Sequence, residues 1–201
     1  SLGLGDRAAM GTNRFAHEGM LKRLIGAHFT WSPRMQQLVR DEKIEAYCFP
    51  GGVIQHLLRE IGAGRPGLFT HCGLDTFADP RRDCGRCNAR SQDALVELLE
   101  IDGKEVLRYK PFPVNVAMIR ATFADTRGNL SPEEEAIDMD IHTIALAAHN
   151  SGGTVIGQVR QVVESGSLYS RAVRVPGIMV DAVVTDPAQQ QFYGLDYDPS
   201  V

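Results

Sequence analysis

The chain has 201 residues, of which 43% are apolar and 23% charged, and its formal net charge is −4. This composition predicts one compact globular domain and excludes a disordered, collagen-like or coiled-coil chain. It also argues against a nucleic-acid-binding module, because such modules carry a basic face. No apolar run approaches the roughly 20 residues that cross a bilayer, and no signal peptide is recognisable, so we expect a cytoplasmic protein without membrane contact.

Helical and strand-like hydrophobic patterns alternate over residues 13–70, separated by turns that contain glycine or proline. In chain order the pattern predicts a helix beginning at Asn13, a strand over 27–31, a helix from Ser32-Pro33 to near Glu42, a strand over 44–49 and a helix over 53–61. This alternation is typical of an α/β domain: an open, mostly parallel sheet with covering helices.

The alternation stops after residue 70. Residues 71–88 are predicted to form a long irregular loop, a feature that is usually functional or disordered in compact domains. Strands over 95–101 and 105–109, joined by Asp102-Gly103, predict an inserted β-hairpin with a type I′ turn. A strand over 114–122, a helix over 138–150 and strands over 154–163 and 178–185 complete the sheet. Without internal repeats or linkers, residues 1–201 are expected to form one domain.

The strand-to-helix turn Phe49-Pro50-Gly51-Gly52 is the first candidate site. The two glycines allow a ligand to approach the backbone, and the helix that follows presents free N–H groups with a partial positive charge. Such a turn can hold an oxyanion or a thioester carbonyl. A tight turn without any ligand is the alternative, since glycine pairs are common.

The irregular loop contains several potential metal ligands. His71, Cys72, Cys84 and Cys87 include a C-x-x-C pair, so a zinc site at Cys72, Cys84 and Cys87 is a weak alternative. A second such pair is absent, and a redox role is weaker still because the pair does not open a helix. We therefore expect reduced thiols with no metal.

The same loop concentrates positive charge in an otherwise acidic chain. Its arginines include Arg81, Arg82 and Arg86, which can bind a phosphate or carboxylate through paired hydrogen bonds. Alternatively, aspartates of the same loop neutralise them; these are Asp75, Asp79 and Asp83. Further along, residues 133–135 are three consecutive glutamates, which we interpret as the charged start of an exposed segment rather than an acid–base pair.

Taken together, the order of segments resembles the first lobe of family I coenzyme A transferases of the propionate or acetate CoA-transferase type. The matching blocks cover nearly the whole chain in the correct order. They include Phe15-Ala16-His17-Glu18-Gly19, Glu45-Ala46-Tyr47 with Pro50-Gly51-Gly52, Arg65-Pro66-Gly67-Leu68-Phe69-Thr70, Thr76-Phe77 with Asp79-Pro80-Arg81, Ala117-Met118-Ile119-Arg120-Ala121-Thr122, Asn150-Ser151-Gly152-Gly153 and Val175-Pro176-Gly177-Ile178.

The resemblance implies the NagB/RpiA-like α/β fold of a CoA-transferase lobe and a reaction in two halves. A glutamate attacks a short acyl-CoA, passes through a mixed anhydride and becomes a glutamyl-CoA thioester, which a second carboxylate such as acetate then collects. Coenzyme A is a substrate and no other cofactor is implied. The nucleophilic glutamate belongs to the second lobe of the family, so the expected partners are that lobe or subunit, acyl-CoA and a small carboxylate, within an oligomer. This chain alone is expected to be inactive.

The resemblance also suggests roles for particular residues. Backbone donors are expected at Gly51 and Gly52, walls of the acyl pocket at Thr76 and Phe77, and a contact with the carboxylate or the loop network at Arg81. The family commonly has a glutamine where this chain has Gly51, which removes a side-chain donor and keeps open a second hypothesis, that of a catalytically silent binding or scaffold lobe.

Overall fold

The computed structural model describes the backbone of residues 3–5 and all of residues 11–135, 137–138 and 140–189. The chain divides into two compact units. The first comprises Ser1–Leu57 and Pro66–Pro111, and the second comprises Leu58–Arg65 and Phe112–Val201. The expectation of a single domain over residues 1–201 stays a prediction.

Short parallel strands and two helices build most of the first unit. Its elements up to residue 70 are β1 (Gly3–Gly5), a 3-10 helix (Gly11–Phe15), β2 (Arg23–Gly26), β3 (His28–Trp31), α1 (Pro33–Arg40), β4 (Glu45–Cys48), α2 (Gly51–Gly62), which continues into the second unit, and β5 (Leu68–Thr70). Strand β1 pairs with β3 and β2 with β4, both in parallel. The helix from Ser32-Pro33 and the strand before the glycine turn are confirmed.

The predicted helix beginning at Asn13 is wrong. Only a 3-10 turn forms there, and Leu24 further along lies in strand β2. Gly19, with a left-handed backbone (φ +83°), interrupts a helical path that starts at Asn13. The buried Asn13 accepts a hydrogen bond from the Ser32 hydroxyl, which uses that residue to anchor the segment rather than to start a helix.

An antiparallel sheet closes the first unit. Strands β6 (Val96–Ile101) and β7 (Lys104–Tyr109) form the predicted hairpin, and β5 pairs with the other edge of β7. Both turn residues have positive φ, 50° at Asp102 and 73° at Gly103, as a type I′ turn requires. Leu107 and Tyr109 of β7 are fully buried.

A three-stranded parallel sheet forms the centre of the second unit, in the order β13–β11–β8. The remaining elements are β8 (Val116–Arg120), β9 (Phe123–Asp125), β10 (Leu130–Ser131), α3 (Ile141–Asn150), β11 (Thr154–Val159), β12 (Gln161–Val163), a 3-10 turn (Gly177–Met179) and β13 (Ala182–Thr185). The inward face of the sheet packs with α3 around a core that includes Ile119, Ala145 and Val155. Among the described residues, no helix is long and apolar enough to cross a membrane.

The predicted exposed segment after residue 132 is confirmed for Glu133, Ile137 and Asp138, but Glu134 and Glu135 are engaged in ion pairs. The Glu135 carboxylate accepts a hydrogen bond from Arg120 Nε at 3.0 Å, and its side chain is almost fully buried. The Glu134 backbone N–H donates to the Thr122 hydroxyl, and its carboxylate pairs with Arg160. Of the three glutamates, only Glu133 is exposed, because the arginines at the ends of β8 and β11 hold the other two.

Candidate functional site

The glycine turn lies where two parallel strands of the first unit end. Strands β2 and β4 run side by side, and the Phe49 N–H donates to the Gly26 carbonyl at 3.0 Å, just beyond their last ladder pair. The Cys48 thiol donates to the Ala27 carbonyl at 2.9 Å. Burial raises the pKa of this thiol, so it remains protonated as a donor. Ligands of open α/β sheets bind at the carboxyl ends of parallel strands, and the turn is at this position.

The turn opens directly into helix α2, as the sequence predicts. The Pro50 carbonyl accepts the N–H groups of Val53 (2.9 Å) and Ile54 (3.2 Å), so the first helical residues are Gly51 and Gly52. A helix has no intrahelical partners for its first N–H groups. A Cβ built on Gly52 would meet nothing within 4 Å. Packing among the residues that the structure describes therefore does not require glycine at position 52, whereas a ligand that approaches the backbone would.

Residues 83–87 of the irregular loop pack against the strand that leads to this turn. The Cys48 N–H donates to the Gly85 carbonyl at 2.7 Å, and the Cys87 N–H donates to the Ala46 carbonyl at 2.9 Å. A Cβ on Gly85 would lie 2.6 Å from Cε1 of Phe49, and the φ of Gly85 is +73°. Only glycine fits this contact. The loop thus supports the base of the turn.

A buried carboxylate organises the loop. Asp79 is fully buried and accepts four N–H groups: those of Asp75 (2.8 Å) and Arg81 (2.9 Å) from the backbone, and Nε (3.0 Å) and Nη2 (2.8 Å) of the Arg81 side chain. Arg81 also contacts Glu105 of the hairpin at 3.0 Å. These bonds, with the Arg81 guanidinium first, hold the pKa of Asp79 well below its usual range although burial opposes the shift. The loop is a structured element stabilised by its own ion pairs.

Arg81 is therefore engaged within the loop network, one of the two positions expected for it. Asp79 and Asp75 (3.6 Å) share its guanidinium, and the hairpin supplies the third carboxylate. For Arg81, the structure therefore agrees with the alternative that aspartates of the same loop neutralise its charge. Its neighbour Arg82 is exposed.

Thr76 and Phe77 lie on the outer part of the same loop. The Thr76 hydroxyl donates to the Gly73 carbonyl at 2.7 Å and so fixes a local turn. The Phe77 side chain is exposed, while its carbonyl accepts the Gly85 N–H at 2.8 Å. The loop thus connects the exposed Phe77 ring to the segment that contacts Phe49, and the roles of Thr76 and Phe77 in an acyl pocket stay predictions.

The loop cysteines have separate environments. Cys84 is buried and its thiol faces the Val96 carbonyl at 3.4 Å, whereas Cys72 and Cys87 are exposed. Although Cys87 is exposed as a residue, desolvation of its sulfur raises the pKa of the thiol to about 11. Throughout the described part of the chain, no group of three His, Cys, Asp or Glu side chains is arranged to hold a metal ion. The structure thus does not bring Cys72, Cys84 and Cys87 together as a zinc site.

Sequence reasoning missed two residues that fix the loop. Tyr109 is fully buried and its hydroxyl donates to the Cys72 carbonyl at 3.0 Å, which anchors the start of the loop. Glu105 binds Arg81 from the hairpin. The buried Asp79 had a local signal, since Asp before Pro commonly forms side-chain-to-backbone turns. Tyr109 and Glu105 had no local signal in the sequence, because their contacts with the loop depend on the position of the hairpin.

The geometry agrees with comparison to known proteins. Residues 4–186 match the model of the coenzyme A transferase family. The chain belongs to this family, and the resemblance inferred from the sequence is confirmed, as is its α/β, mostly parallel fold.

Individual relatives refine this assignment. The crystal structure of acyl-CoA transferase YdiF from Escherichia coli O157:H7 superposes with a TM-score of 0.91 at 42% identity, covering 96% of this chain and 37% of that one. Caffeate CoA-transferase of Acetobacterium woodii is 43% identical over 98% of this chain and 38% of its own length. Acetate CoA-transferase subunit alpha of Escherichia coli K12 is 25% identical over 83% of this chain and 67% of its own. The chain thus spans less than two fifths of the two more similar relatives.

Proposed function

We propose that this chain forms the first lobe of a transferase that moves coenzyme A from a short acyl-CoA to a carboxylate such as acetate. The observation that carries the proposal is the open glycine turn at the carboxyl ends of β2 and β4, in a chain of the coenzyme A transferase family. The similarity to an acetate CoA-transferase α subunit supports the assignment to the first lobe.

The proposed reaction needs a nucleophilic carboxylate that this chain receives from a second lobe. A glutamate attacks the acyl-CoA carbonyl and expels the thiolate of coenzyme A, which leaves a mixed anhydride. The thiolate then attacks the glutamyl carbonyl, releases the acyl carboxylate and forms the glutamyl thioester. The acceptor carboxylate reverses these two steps and leaves as the new acyl-CoA. Each step passes through a tetrahedral oxyanion, which needs fixed hydrogen-bond donors.

In this proposal the residues of the turn and those of the loop have different roles. The N–H groups of Gly51 and Gly52 stabilise the oxyanion, assisted by the helix dipole. Phe77 and Thr76 border the acyl group, and Arg81 acts as a positioning residue because Asp79 and Glu105 occupy its guanidinium. Coenzyme A is a substrate and the chemistry asks for no further cofactor. The enzyme is assigned to the cytoplasm, and its working form contains both lobes in an oligomer.

Intact-mass spectrometry tests this function. The two-lobe protein is incubated with acetyl-CoA or propionyl-CoA, and the expected product is a covalent coenzyme A adduct that disappears when acetate is added. The glutamate-to-glutamine variant of the second lobe is the control and should form no adduct.

A silent scaffold lobe is the second candidate, and it is favoured by the lack of a side-chain donor at Gly51. It predicts that acyl-CoA binds without any adduct. Absence of the adduct from the folded two-lobe protein, with every acyl-CoA supplied, would contradict the transferase.

A further inference from the structure

One side-chain amide close to the glycine turn has no internal partner. The half-buried side-chain amides that the structure describes belong to Gln36, Gln55, Asn88, Asn129 and Gln158. Four of these amides donate to acceptors of this chain at 2.7–3.2 Å. Gln55 is the exception, because none of the residues that the structure describes hydrogen-bonds to its amide. Half-buried polar groups are normally hydrogen-bonded, so this amide is available to a ligand.

The position of Gln55 in helix α2 directs its side chain towards the turn. A helix advances about 100° per residue, so Gln55 lies about 40° around the axis from Gly51 and about 60° from Gly52. The side chain of a helical residue covers the surface of the preceding turn, because its Cα–Cβ bond tilts towards the N-terminus of the helix. The surface that Gln55 covers is therefore that of the two glycines.

The two sides of α2 differ in character at this end. Val53, Ile54 and Leu57 are buried and form its inward side. On the other side, Gly52 is exposed and a Cβ built on it would meet nothing within 4 Å. Neither glycine has a side chain that separates the Gln55 amide from the backbone N–H groups of the turn. A ligand oxygen at the turn can therefore accept hydrogen bonds from the backbone and from this amide together.

We propose that Gln55 is a catalytic residue of this site, whose Nε2 group donates a hydrogen bond to the carbonyl oxygen of the bound thioester. It shares that oxygen with the N–H groups of Gly51 and Gly52. The hydrogen bond strengthens as the oxygen gains negative charge in the tetrahedral intermediate. This inference rests on the proposed function, and it supplies from the next helical turn the side-chain donor that position 51 lacks.

The variant Gln55→Met tests this role in the two-lobe protein, because methionine keeps the length and helix propensity of glutamine without its N–H donors. At saturating acetyl-CoA, we expect the rate constant for the coenzyme A adduct to fall at least about tenfold, with the unfolding midpoint unchanged. Gln55→Glu has the same shape and only acceptor oxygens, so it should be slower still. Gln37→Met, on the exposed side of helix α1, is the matched control and should react at the wild-type rate.

A second measurement does not depend on turnover. Acetyl-CoA labelled with ¹³C at its carbonyl is bound to the two-lobe protein that carries the glutamate-to-glutamine substitution of the second lobe, which prevents the adduct. A donated hydrogen bond polarises the carbonyl, so its ¹³C signal should move downfield on binding. Gln55→Met should reduce this displacement, and Gln37→Met should leave it unchanged.

The results separate this role from the proposed function. A carbonyl signal or an adduct rate that Gln55→Met leaves unchanged overturns the role of Gln55, as does a slower rate accompanied by a lower unfolding midpoint. An adduct formed by the wild-type protein in those cases still supports the transferase. Conversely, a carbonyl displacement that depends on Gln55, in a wild-type protein that forms no adduct, refutes the transferase alone.

Discussion

Replacing the buried carboxylate of the loop, Asp79→Asn, should unfold the first unit more easily. The amide retains one acceptor oxygen, so two of the four N–H donors now bonded to Asp79 face an NH2 group instead. Hydrogen bonds to charged groups contribute about 1.5–3 kcal/mol each. The share of Arg81 is discounted because its side chain is partly exposed and regains water. We expect a loss of about 2–4 kcal/mol in the free energy of unfolding.

Urea denaturation followed by the fluorescence of Trp31 measures this loss, because the only tryptophan of the chain lies in the first unit. Glu105→Gln is the matched control: it removes a carboxylate from the same guanidinium at a half-exposed site and should cost less than about 1 kcal/mol. If the two variants lose equal stability, or if Asp79→Asn loses none, the carboxylate does not organise the loop.

The buried Asp79 should also make the stability of the fold depend on pH. The pKa of Asp79 is lowered in the folded state, so its contribution is complete above the ordinary aspartate pKa of about 3.9 and is lost as the pH falls towards the lower folded pKa. Between pH 5 and 2.5, the wild-type chain should therefore lose more stability than Asp79→Asn does. Parallel pH profiles of the two proteins would contradict this assignment.

Three further predictions concern the turn, the loop contact and the cysteines. Gly52→Ala should raise the free energy of unfolding by about 0.5–1 kcal/mol, since its Cβ meets open space and alanine favours helix. Adduct formation by the two-lobe protein should nevertheless slow at least about tenfold, because the added methyl group lies where the ligand approaches the backbone donors. Unchanged kinetics would show that the turn is not part of the site. Gly85→Ala should cost about 2–4 kcal/mol because it adds a clash with Phe49 to left-handed strain, whereas Gly103→Ala, with the same φ of 73° and open space, should cost only about 1–2 kcal/mol in the Trp31 assay. Elemental analysis should find less than about 0.1 zinc per chain, and EDTA should leave the unfolding midpoint unchanged; stoichiometric zinc would contradict the separate cysteine environments.

The sequence correctly predicted those elements whose structure depends on interactions between neighbouring residues. Helix α2 and the Asp102-Gly103 hairpin turn are confirmed because each depends on neighbouring residues: a proline-glycine start in one case, and two positions that tolerate positive φ in the other. The failed helix near Asn13 shows the limit. Its apolar spacing is compatible with a helix, but the segment is held by a hydrogen bond to Ser32, nineteen positions away.

The candidate site was predictable to the same extent. The glycine turn is local and was found, whereas the engagement of Arg81 required the hairpin to bring Glu105 to the loop. Likewise, three consecutive glutamates resemble an exposed acidic segment, yet Glu135 is buried because Arg120 on a distant strand pairs with it. The sequence does not show which charged residues pair with each other. Predictions of exposed charge therefore fail most often where the partners of an ion pair are far apart in the sequence.

The structured loop of residues 71–88, which Tyr109 and Glu105 anchor from the hairpin, has an evolutionary consequence. Its order depends on a few inward groups, chiefly Asp79 and Gly85, while Phe77 and Arg82 point outward and contribute little to holding its shape. Mutations at such outward positions can accumulate without unfolding the protein. Under the proposed function, in which Phe77 borders the acyl group, a lineage can therefore vary its acyl preference one substitution at a time while the loop keeps its structure.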